Sequence, residues 1–155
     1  MKKQLLFLLV FFSATAFIFS SCSNKSDTPP PTPKTKTELI TQSSWRFKSA
    51  TASGTDVSNQ APPFDACRKD NIITFTSIGG GNVNEGLTSC SPSEATTFTW
   101  NFTTNETILH ISAVLFPGGS NDFTLVKLTE TELVASQFYT PPLGPSILIE
   151  ITFQH

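Results

Sequence analysis

Two histidines are the residues of this sequence that could act as a general base or bind a metal ion. His110 lies inside an apolar segment and His155 is the last residue. Histidine supplies either chemistry only beside suitably placed partners, and the sequence contains no CxxC, HExxH, GxSxG or phosphate-binding glycine motif. We therefore predict no catalytic residue, no metal site and no cofactor, and expect a protein that binds rather than an enzyme.

Four carboxylates near two of the three cysteines are a second candidate for chemistry. Asp65 and Asp70 flank Cys67, and Glu85 and Glu94 flank Cys90. A calcium site is the alternative interpretation, but the spacing matches no calcium-binding loop. We expect solvated loop charge.

Cys22 stands where an apolar segment turns polar. Lys2 and Lys3 precede an apolar run over Leu5–Phe19, and such a run is typical of a secretory signal and short of the about 20 residues that a membrane helix needs. The Phe-Ser-Ser-Cys ending resembles the lipobox of bacterial lipoproteins, in which a lipid is attached to the cysteine sulfur. We predict a signal peptide over 1–21 and lipidation of Cys22. The alternative is an ordinary secreted protein in which Cys22 lies near the cleavage site by chance.

Residues 22–37 are rich in Ser, Thr, Pro and Lys. A segment of this composition has no core to bury and is expected to be an extended tether. A proline-rich ligand of a recognition domain is the alternative. The residue after Cys22 indicates the location of the lipoprotein. Because Ser23 rather than Asp stands there, we predict an outer-membrane lipoprotein of the cell envelope, facing the periplasm or the cell surface.

The charge of the chain argues against nucleic acid as a partner. Ten Lys and Arg stand against 12 Asp and Glu, with a formal net charge of −2. Phosphate backbones are bound by clustered basic residues, and the sequence shows no such cluster.

The elements that must position any site lie in residues 38–155, which we predict to be one domain. Thr35 and Glu38 have capping-box spacing and predict a short helical turn. Short apolar segments then alternate with polar residues at the period of strands, separated by turn residues. The predicted strands lie around Trp45–Lys48, Ile73–Thr76, Val83, Phe98–Thr103, Ile108–Leu115, Phe123–Leu128, Leu133–Tyr139 and Ile147–Phe153, with a turn over Gly79–Asn82. Eight short strands without crossover helices predict an all-β fold, an eight-stranded antiparallel up-and-down barrel.

The cysteine count predicts one disulfide. Three cysteines leave one unpaired in an exported protein, and if Cys22 carries lipid, Cys67 and Cys90 remain as a pair. A hairpin that turns near Gly80 places both at its open end, within reach of each other. Two free buried thiols are the alternative.

The Trp, Cys and aromatic positions of the domain resemble the lipocalin-like lipoproteins of Bacteroidetes. The resemblance lies in Trp45, in Cys67 followed by Asp70 and "IITFTSIGGG", in Cys90, and in Trp100 within "TFTWNF". It implies a barrel that binds a small apolar or amphipathic ligand. An eight-stranded barrel holds one such ligand or fills its interior with side chains. The aromatic residues that we expect to line the ligand are Trp45, Phe75, Phe98, Trp100 and Phe123.

An interaction module of the cell envelope, or an enzyme inhibitor, is the alternative function. It would have a filled barrel core and would dock through exposed loop tips on an envelope protein partner. The candidate contact loops are "PPFDAC" and "TPPLGP".

Overall fold

A computed structural model describes residues 32–155. The predicted signal peptide, Cys22 and most of the tether lie outside the described residues. The helices are α1 (Lys36–Thr41) and α2 (Ala66–Lys69), and the strands are β1 (Trp45–Ala52), β2 (Thr55–Asp56), β3 (Ile72–Phe75), β4 (Gly80–Asn84), β5 (Thr96–Thr103), β6 (Ile108–Ile111), β7 (Asp122–Leu128), β8 (Glu132–Tyr139) and β9 (Ile147–Gln154). Neither described helix is long and apolar enough to span a membrane.

The strands form a closed antiparallel barrel. Strand β1 and strands β3 to β9 each pair with the next in chain order, and β9 returns to pair with β1 over Arg46–Ala52. Strand β2 is a two-residue extension beside the end of β1. The predicted eight-stranded up-and-down barrel is confirmed. Closure removes the unpaired edges that an open sheet would expose.

Helix α1 closes one end of the barrel, which we call the helix end. The predicted capping box is present: Thr35 Oγ1 accepts a hydrogen bond from the backbone of Glu38, whose carboxylate accepts one from the backbone N–H of Thr35. Ile40 is fully buried, and its carbonyl accepts a 2.8 Å hydrogen bond from the indole N–H of Trp45. Lys36 reaches the β5–β6 turn through the carbonyl of Glu106 at 2.6 Å. The helix therefore seals the end of the barrel that carries the short turns.

The opposite end, which we call the loop end, carries the four long connections. They are the β1–β3 loop (53–71), the β4–β5 loop (85–95), the β6–β7 loop (112–121) and the β8–β9 loop (140–146). Strands β1 and β3 pair only through Trp45 with Ile73 and Arg46 with Ile72. Beyond that point the β1–β3 loop takes over the edge of β1, since the N–H of Val57 donates to the carbonyl of Ala50 at 2.9 Å. This loop therefore belongs to the wall of the barrel.

Alternate residues of each strand point inward and form the core, as the period-2 pattern predicts. Strand β9 buries Ile149, Ile151 and Phe153 and exposes Glu150 and Gln154. Strand β5 buries Phe98 and Trp100 between exposed Thr and Asn residues. Each strand thus contributes one apolar face to the same interior.

Strand β6 is shorter than predicted. It ends at Ile111, not at Leu115, because the apolar residues that follow fold over the loop end and do not extend the ladder.

The turn before β4 lies earlier in the chain than the predicted turn over Gly79–Asn82. Gly80 and Gly81 belong to β4, and a Cβ at Gly81 would lie 2.3 Å from the ring of Phe98. The run of glycines therefore lets an aromatic ring cross a strand at close range. Helix α2 and strand β2 were not predicted.

Candidate functional site

The interior of the barrel is filled by its own side chains. The void that remains has a volume of about 10 Å³, which is room for about one water molecule. Trp45, Phe75 and Phe123, three of the five residues predicted to line a ligand, lie on its wall. A small molecule would have to displace side chains to enter this space.

The other two predicted residues, Phe98 and Trp100, pack behind this wall. Their rings each lie 5.5 Å from that of Phe75, edge to face. The Trp100 indole N–H donates to the carbonyls of Gly80, at 2.9 Å, and Thr76. The Trp45 indole N–H is also used within the chain. The indole N–H groups of both tryptophans therefore form hydrogen bonds to backbone carbonyls that stabilise the barrel.

Two loop aromatics close the loop end. Phe64, from the β1–β3 loop, is 2% exposed and packs against Phe47 and Phe116, with ring centroids 5.0 and 5.5 Å away. Phe116, from the β6–β7 loop, also reaches the ring of Phe153 in the core. The aromatic residue of the candidate contact loop "PPFDAC", Phe64, is therefore buried and not exposed at the loop tip, because it finds an apolar surface at the open end of the barrel. We call Phe64 and Phe116 the aromatic plug.

A hydrogen bond fastens the β1–β3 loop to the barrel wall. The hydroxyl of Tyr139, on β8, donates to the carbonyl of Pro62 at 3.2 Å. Burial, and then the charge of Asp65, raises the pKa of Tyr139 above its usual value, so the hydroxyl keeps the proton that it donates at neutral pH. The anchor lies two residues before Phe64 and restrains the position of the plug.

The disulfide is present and ties the β1–β3 loop to the β4–β5 loop. Cys67 on α2 is bonded to Cys90, with Cα atoms 5.2 Å apart. Next to it, the guanidinium of Arg68 pairs with both carboxylate oxygens of Glu94 and with Asp65. The Glu94 carboxylate is the main cause that raises the pKa of Arg68. Two of the four carboxylates noted in the sequence, Asp65 and Glu94, are thus paired with Arg68 and hold the two loops together.

Glu85 organises the β4–β5 loop from within. Its carboxylate accepts hydrogen bonds from the backbone N–H groups of Cys90 and Glu94, both at 2.9 Å, and from the hydroxyl of Ser93 at 2.7 Å. The N–H of Glu94 and then the Ser93 hydroxyl lower the pKa of Glu85 below its usual value.

Among the described residues, no three His, Cys, Asp or Glu side chains are grouped so that they could hold a metal ion.

Two amides are buried at the loop end without a full set of partners. Asn71 is 6% exposed, and its Oδ1 atom has no hydrogen-bond partner among the described residues. Gln137, on β8, accepts a 2.8 Å hydrogen bond from the N–H of Ser120, while its Nε2 atom is unpartnered in the described part of the chain. An unsatisfied buried polar group costs about 1–3 kcal/mol, so such groups call for an explanation.

A groove of about 370 Å³ opens beside the plug, between the β4–β5 and β6–β7 loops. We call it the lateral groove. Its volume falls in the range of small-molecule sites, about 300–1,000 Å³. The side chains that line it include Asn71, Val83, Glu94, Thr96, Val114 and Leu115. It combines apolar walls with a few polar groups.

Two further features lie on the outer surface. Phe138 and Leu148 face each other across β8 and β9, and both are exposed, as is Leu143 at the tip of the "TPPLGP" loop. We call Phe138, Leu143, Ile147 and Leu148 the apolar strip.

The second feature is His110, whose Nδ1 lies 2.6 Å from Asp122 Oδ1 on the neighbouring strand. The His110 side chain is partly buried and that of Asp122 is exposed, and neither lines any of the cavities described above.

Sequence reasoning missed most of the loop-end residues. Asn71 and Phe116 lie in connections without strand periodicity, Leu115 was predicted to end a strand, and Phe64 was placed in a candidate contact loop. The burial of all four depends on contacts between distant loops. The one available signal was composition, since an aromatic or aliphatic side chain in a long connection needs an apolar surface to cover.

Comparison with known proteins assigns the family. A family model described as a lipocalin-like domain matches residues 42–135, and a comparison with curated proteins found no match. A solved structure similar to the chain is that of bovine odorant-binding protein complexed with its natural ligand. It has 14% sequence identity and a TM-score of 0.47, with 81% of this chain and 76% of that chain covered. The family match spans more than half of the chain, which therefore belongs to the lipocalin-like domain family.

Proposed function

We propose that this protein is a membrane-anchored lipoprotein of the cell envelope that binds a small apolar or amphipathic molecule at the loop end of its barrel. The anchor and the location are supported by the N-terminal sequence, in which Cys22 follows a signal-like apolar run. Two or three acyl chains hold a protein on a bilayer, since each buried methylene contributes about 0.8 kcal/mol. The binding function is supported by the lipocalin-like domain.

The observation that carries the binding proposal is the aromatic plug. The helix end is sealed by α1 and by strand residues, whereas the loop end is closed by Phe64 and Phe116, which come from loops. Loops can move on faster timescales than a barrel can unpair its strands. Displacing the plug would uncover an apolar mouth without breaking the strand ladder.

Because the interior is filled, a ligand can bind there only by displacing side chains of the protein. The void of about 10 Å³ is far below the size of an engineered apolar cavity of about 150 Å³ that takes up benzene. The ligand therefore takes the place of one or both plug rings, and its own apolar surface offsets the contacts that they lose. Of the five aromatic residues predicted as lining, Trp45, Phe75 and Phe123 would then form the floor of the site, while Phe98 and Trp100 would stay packed behind Phe75, outside it.

Native mass spectrometry tests this proposal. The protein is released from the membranes of its source organism by cleavage within residues 22–34, and its native mass is compared with its denatured mass. An added mass that disappears on denaturation supports a carried ligand and gives its compound class. If there is no added mass, and the purified protein also fails to bind the apolar probe N-phenylnaphthylamine, the proposal is wrong.

A docking module is the second candidate, and the apolar strip is the observation that favours it. Phe138 is 63% exposed and Leu143 is 93% exposed, beside a proline-rich loop. Contiguous exposed apolar side chains often mark protein interaction sites. Cross-linking in intact cells tests this function: an envelope protein captured by the native chain but lost with Phe138→Ser and Leu148→Ser would support it. Unchanged capture with both substitutions would exclude the strip.

A further inference from the structure

The lateral groove and the barrel interior share a wall. Leu115, on the β6–β7 loop, lines the groove, the internal void, and a second void of about 10 Å³ under the plug. Asn71 and Val83 line both the groove and this second void. Three side chains therefore separate a ligand-sized space on the surface from the apolar core.

The wall is built on a weakly held piece of backbone. The N–H of Ser112 donates to the carbonyl of Thr99, and the N–H of Gly119 to that of Phe116. Residues 113–115, between these fixed points, form no backbone hydrogen bond with the described part of the chain. Backbone without such bonds opens at low cost in free energy. Leu115 can therefore move while the strands stay paired.

Polar residues stand beside the apolar wall of the groove. Asn71 lines both the groove and the second void, and its Oδ1 atom is a buried acceptor with no partner among the described residues. Thr96 and Glu94 also line the groove. Arg68 lines the second void, but its guanidinium is already paired with two carboxylates, those of Glu94 and Asp65, so no net positive charge remains for an anion. A hydroxyl or amide N–H would satisfy Asn71, whereas a carboxylate would face an acceptor and a like charge.

We infer that the lateral groove is the access route of the ligand and the seat of its head group, and that the ligand is a neutral amphiphile with a hydrogen-bond donor at one end. The apolar chain passes Leu115 and displaces the plug, while the donor binds Asn71 Oδ1. The buried unpaired amide, a cost to the empty protein, thus becomes a specificity group.

Because this inference rests on the proposed ligand binding, the experiment measures both. The probes are decanol and decanoate, which share an apolar chain and differ in head group, and N-phenylnaphthylamine as a general apolar probe. Calorimetric titration of the folded protein gives the affinities. We expect the native chain to bind decanol at least ten times more tightly than decanoate.

Two valines supply a matched pair of variants. Val114 lines the groove and is 52% exposed, while Val126, on β7, is 53% exposed and does not line the groove. Because both positions are exposed, a larger side chain is tolerated at either. Val114→Trp is expected to weaken decanol binding at least ten-fold, and Val126→Trp to leave it unchanged.

Substitution of Asn71 separates recognition from folding. Asn71→Leu removes an amide whose Oδ1 has no partner, so the thermal midpoint should stay the same or rise. Decanol affinity should fall about five- to ten-fold, the value of one hydrogen bond.

The outcomes distinguish the two proposals. If the native chain binds decanol and neither Val114→Trp nor Asn71→Leu changes that binding, the groove is not the route and ligand binding stands. If the native chain binds N-phenylnaphthylamine but not decanol, the ligand class assigned here is wrong and ligand binding stands. Decanoate bound as tightly as decanol overturns the head-group assignment. If the native chain binds none of the three probes, the route and the proposed function fail together.

Discussion

The hydroxyl of Tyr139 and the carbonyl of Pro62 are joined by a hydrogen bond of 3.2 Å between β8 and the β1–β3 loop. Tyr139 belongs to a strand that is paired along its length with β9. Pro62 belongs to the loop that delivers Phe64 to the barrel opening. The bond therefore links the rigid wall of the barrel to the segment that closes it.

Tyr139→Phe should loosen the loop without emptying the core. The phenyl ring keeps the buried surface, and the loss of one hydrogen bond costs about 1 kcal/mol. The N–H of Phe64, bonded to the carbonyl of Gln60 at 3.0 Å, should exchange with solvent roughly five times faster, as expected for that change in local opening free energy. Amide hydrogen exchange followed by NMR measures it. The amide of Ile73 in β3 serves as the internal control, and an unchanged rate at Phe64 would show that the bond does not restrain the loop.

Phe64→Ala should open the loop end. Truncating a buried Phe costs about 3–5 kcal/mol, but here the space created lies under a loop, where an apolar probe can reach it. We expect N-phenylnaphthylamine to bind at least ten times more tightly than to the native chain, measured by fluorescence titration.

Phe98→Ala is the matched control for that variant. It removes the same ring from a buried position in β5, behind the wall of the internal void, and should lose similar stability without gaining affinity. Should Phe64→Ala prove too unstable, Phe64→Leu gives a smaller opening. Equal gains in probe binding at both positions would mean that Phe64 has no gating role.

The barrel could be predicted from sequence because its information is local. The Thr35 and Glu38 capping box, the alternation around Phe98 and Trp100, and the run from Ile149 to Phe153 each lie within one element. A period-2 pattern with turn residues between segments leaves few topologies other than a meander.

The closure of the loop end could not be predicted because it depends on contacts between loops. Phe64 is buried by Phe47 and Phe116, which lie 17 and 52 residues away along the chain. A Pro-Pro-Phe sequence by itself is typical of an exposed turn. The filled interior is likewise set by how side-chain volumes combine across strands, which periodicity does not specify.

Loss of the disulfide should destabilise the loop end and the whole domain. Cys67 and Cys90 are separated by 23 residues, and closing a loop of this size stabilises a protein by about 3 kcal/mol. The double variant Cys67→Ala and Cys90→Ala should unfold at lower urea concentration, as followed by tryptophan fluorescence. Reductant should shift the native chain toward the variant and leave the variant unchanged. Equal free-thiol counts in the native chain with and without reductant would exclude the bond.

Cys22→Ser should release the protein from membranes. The prediction follows from the position of Cys22 behind the apolar run over Leu5–Phe19, since a lipid on its sulfur is the proposed anchor. After fractionation of cells that express each form, the native chain should be in the membrane pellet and the variant in the soluble fraction. Val126→Ser, a change at an exposed position of the folded domain, is the control for general effects and should stay in the membrane pellet. Full membrane partition of the Cys22→Ser protein would rule out the lipid anchor.

Acid should loosen the β4–β5 loop through Glu85. Its carboxylate accepts hydrogen bonds from the N–H groups of Glu94 and Cys90 and from Ser93, which lower its pKa below the usual value of 4.5. A group whose pKa is depressed by folding contributes stability above its unfolded pKa and loses it as pH falls through the folded value. The contribution is therefore complete above a pH of about 4.5 and disappears at lower pH.

An NMR titration of the Glu85 side-chain carboxyl carbon checks the direction of this shift, and amide exchange at Cys90 and Glu94 checks its consequence. Relative to the unfolded chain, protection of both amides should decrease as pH falls below about 4.5. In Glu85→Gln the acceptor charge is absent at every pH, so protection should already be weak at neutral pH and change little on acidification.

Because Glu94 also binds Arg68 beside the disulfide, a looser β4–β5 loop should alter the lateral groove that Glu94 lines. Decanol affinity should then fall with the same pH dependence in the native chain and not in Glu85→Gln. A pKa for Glu85 at or above 4.5 would contradict the whole sequence of effects.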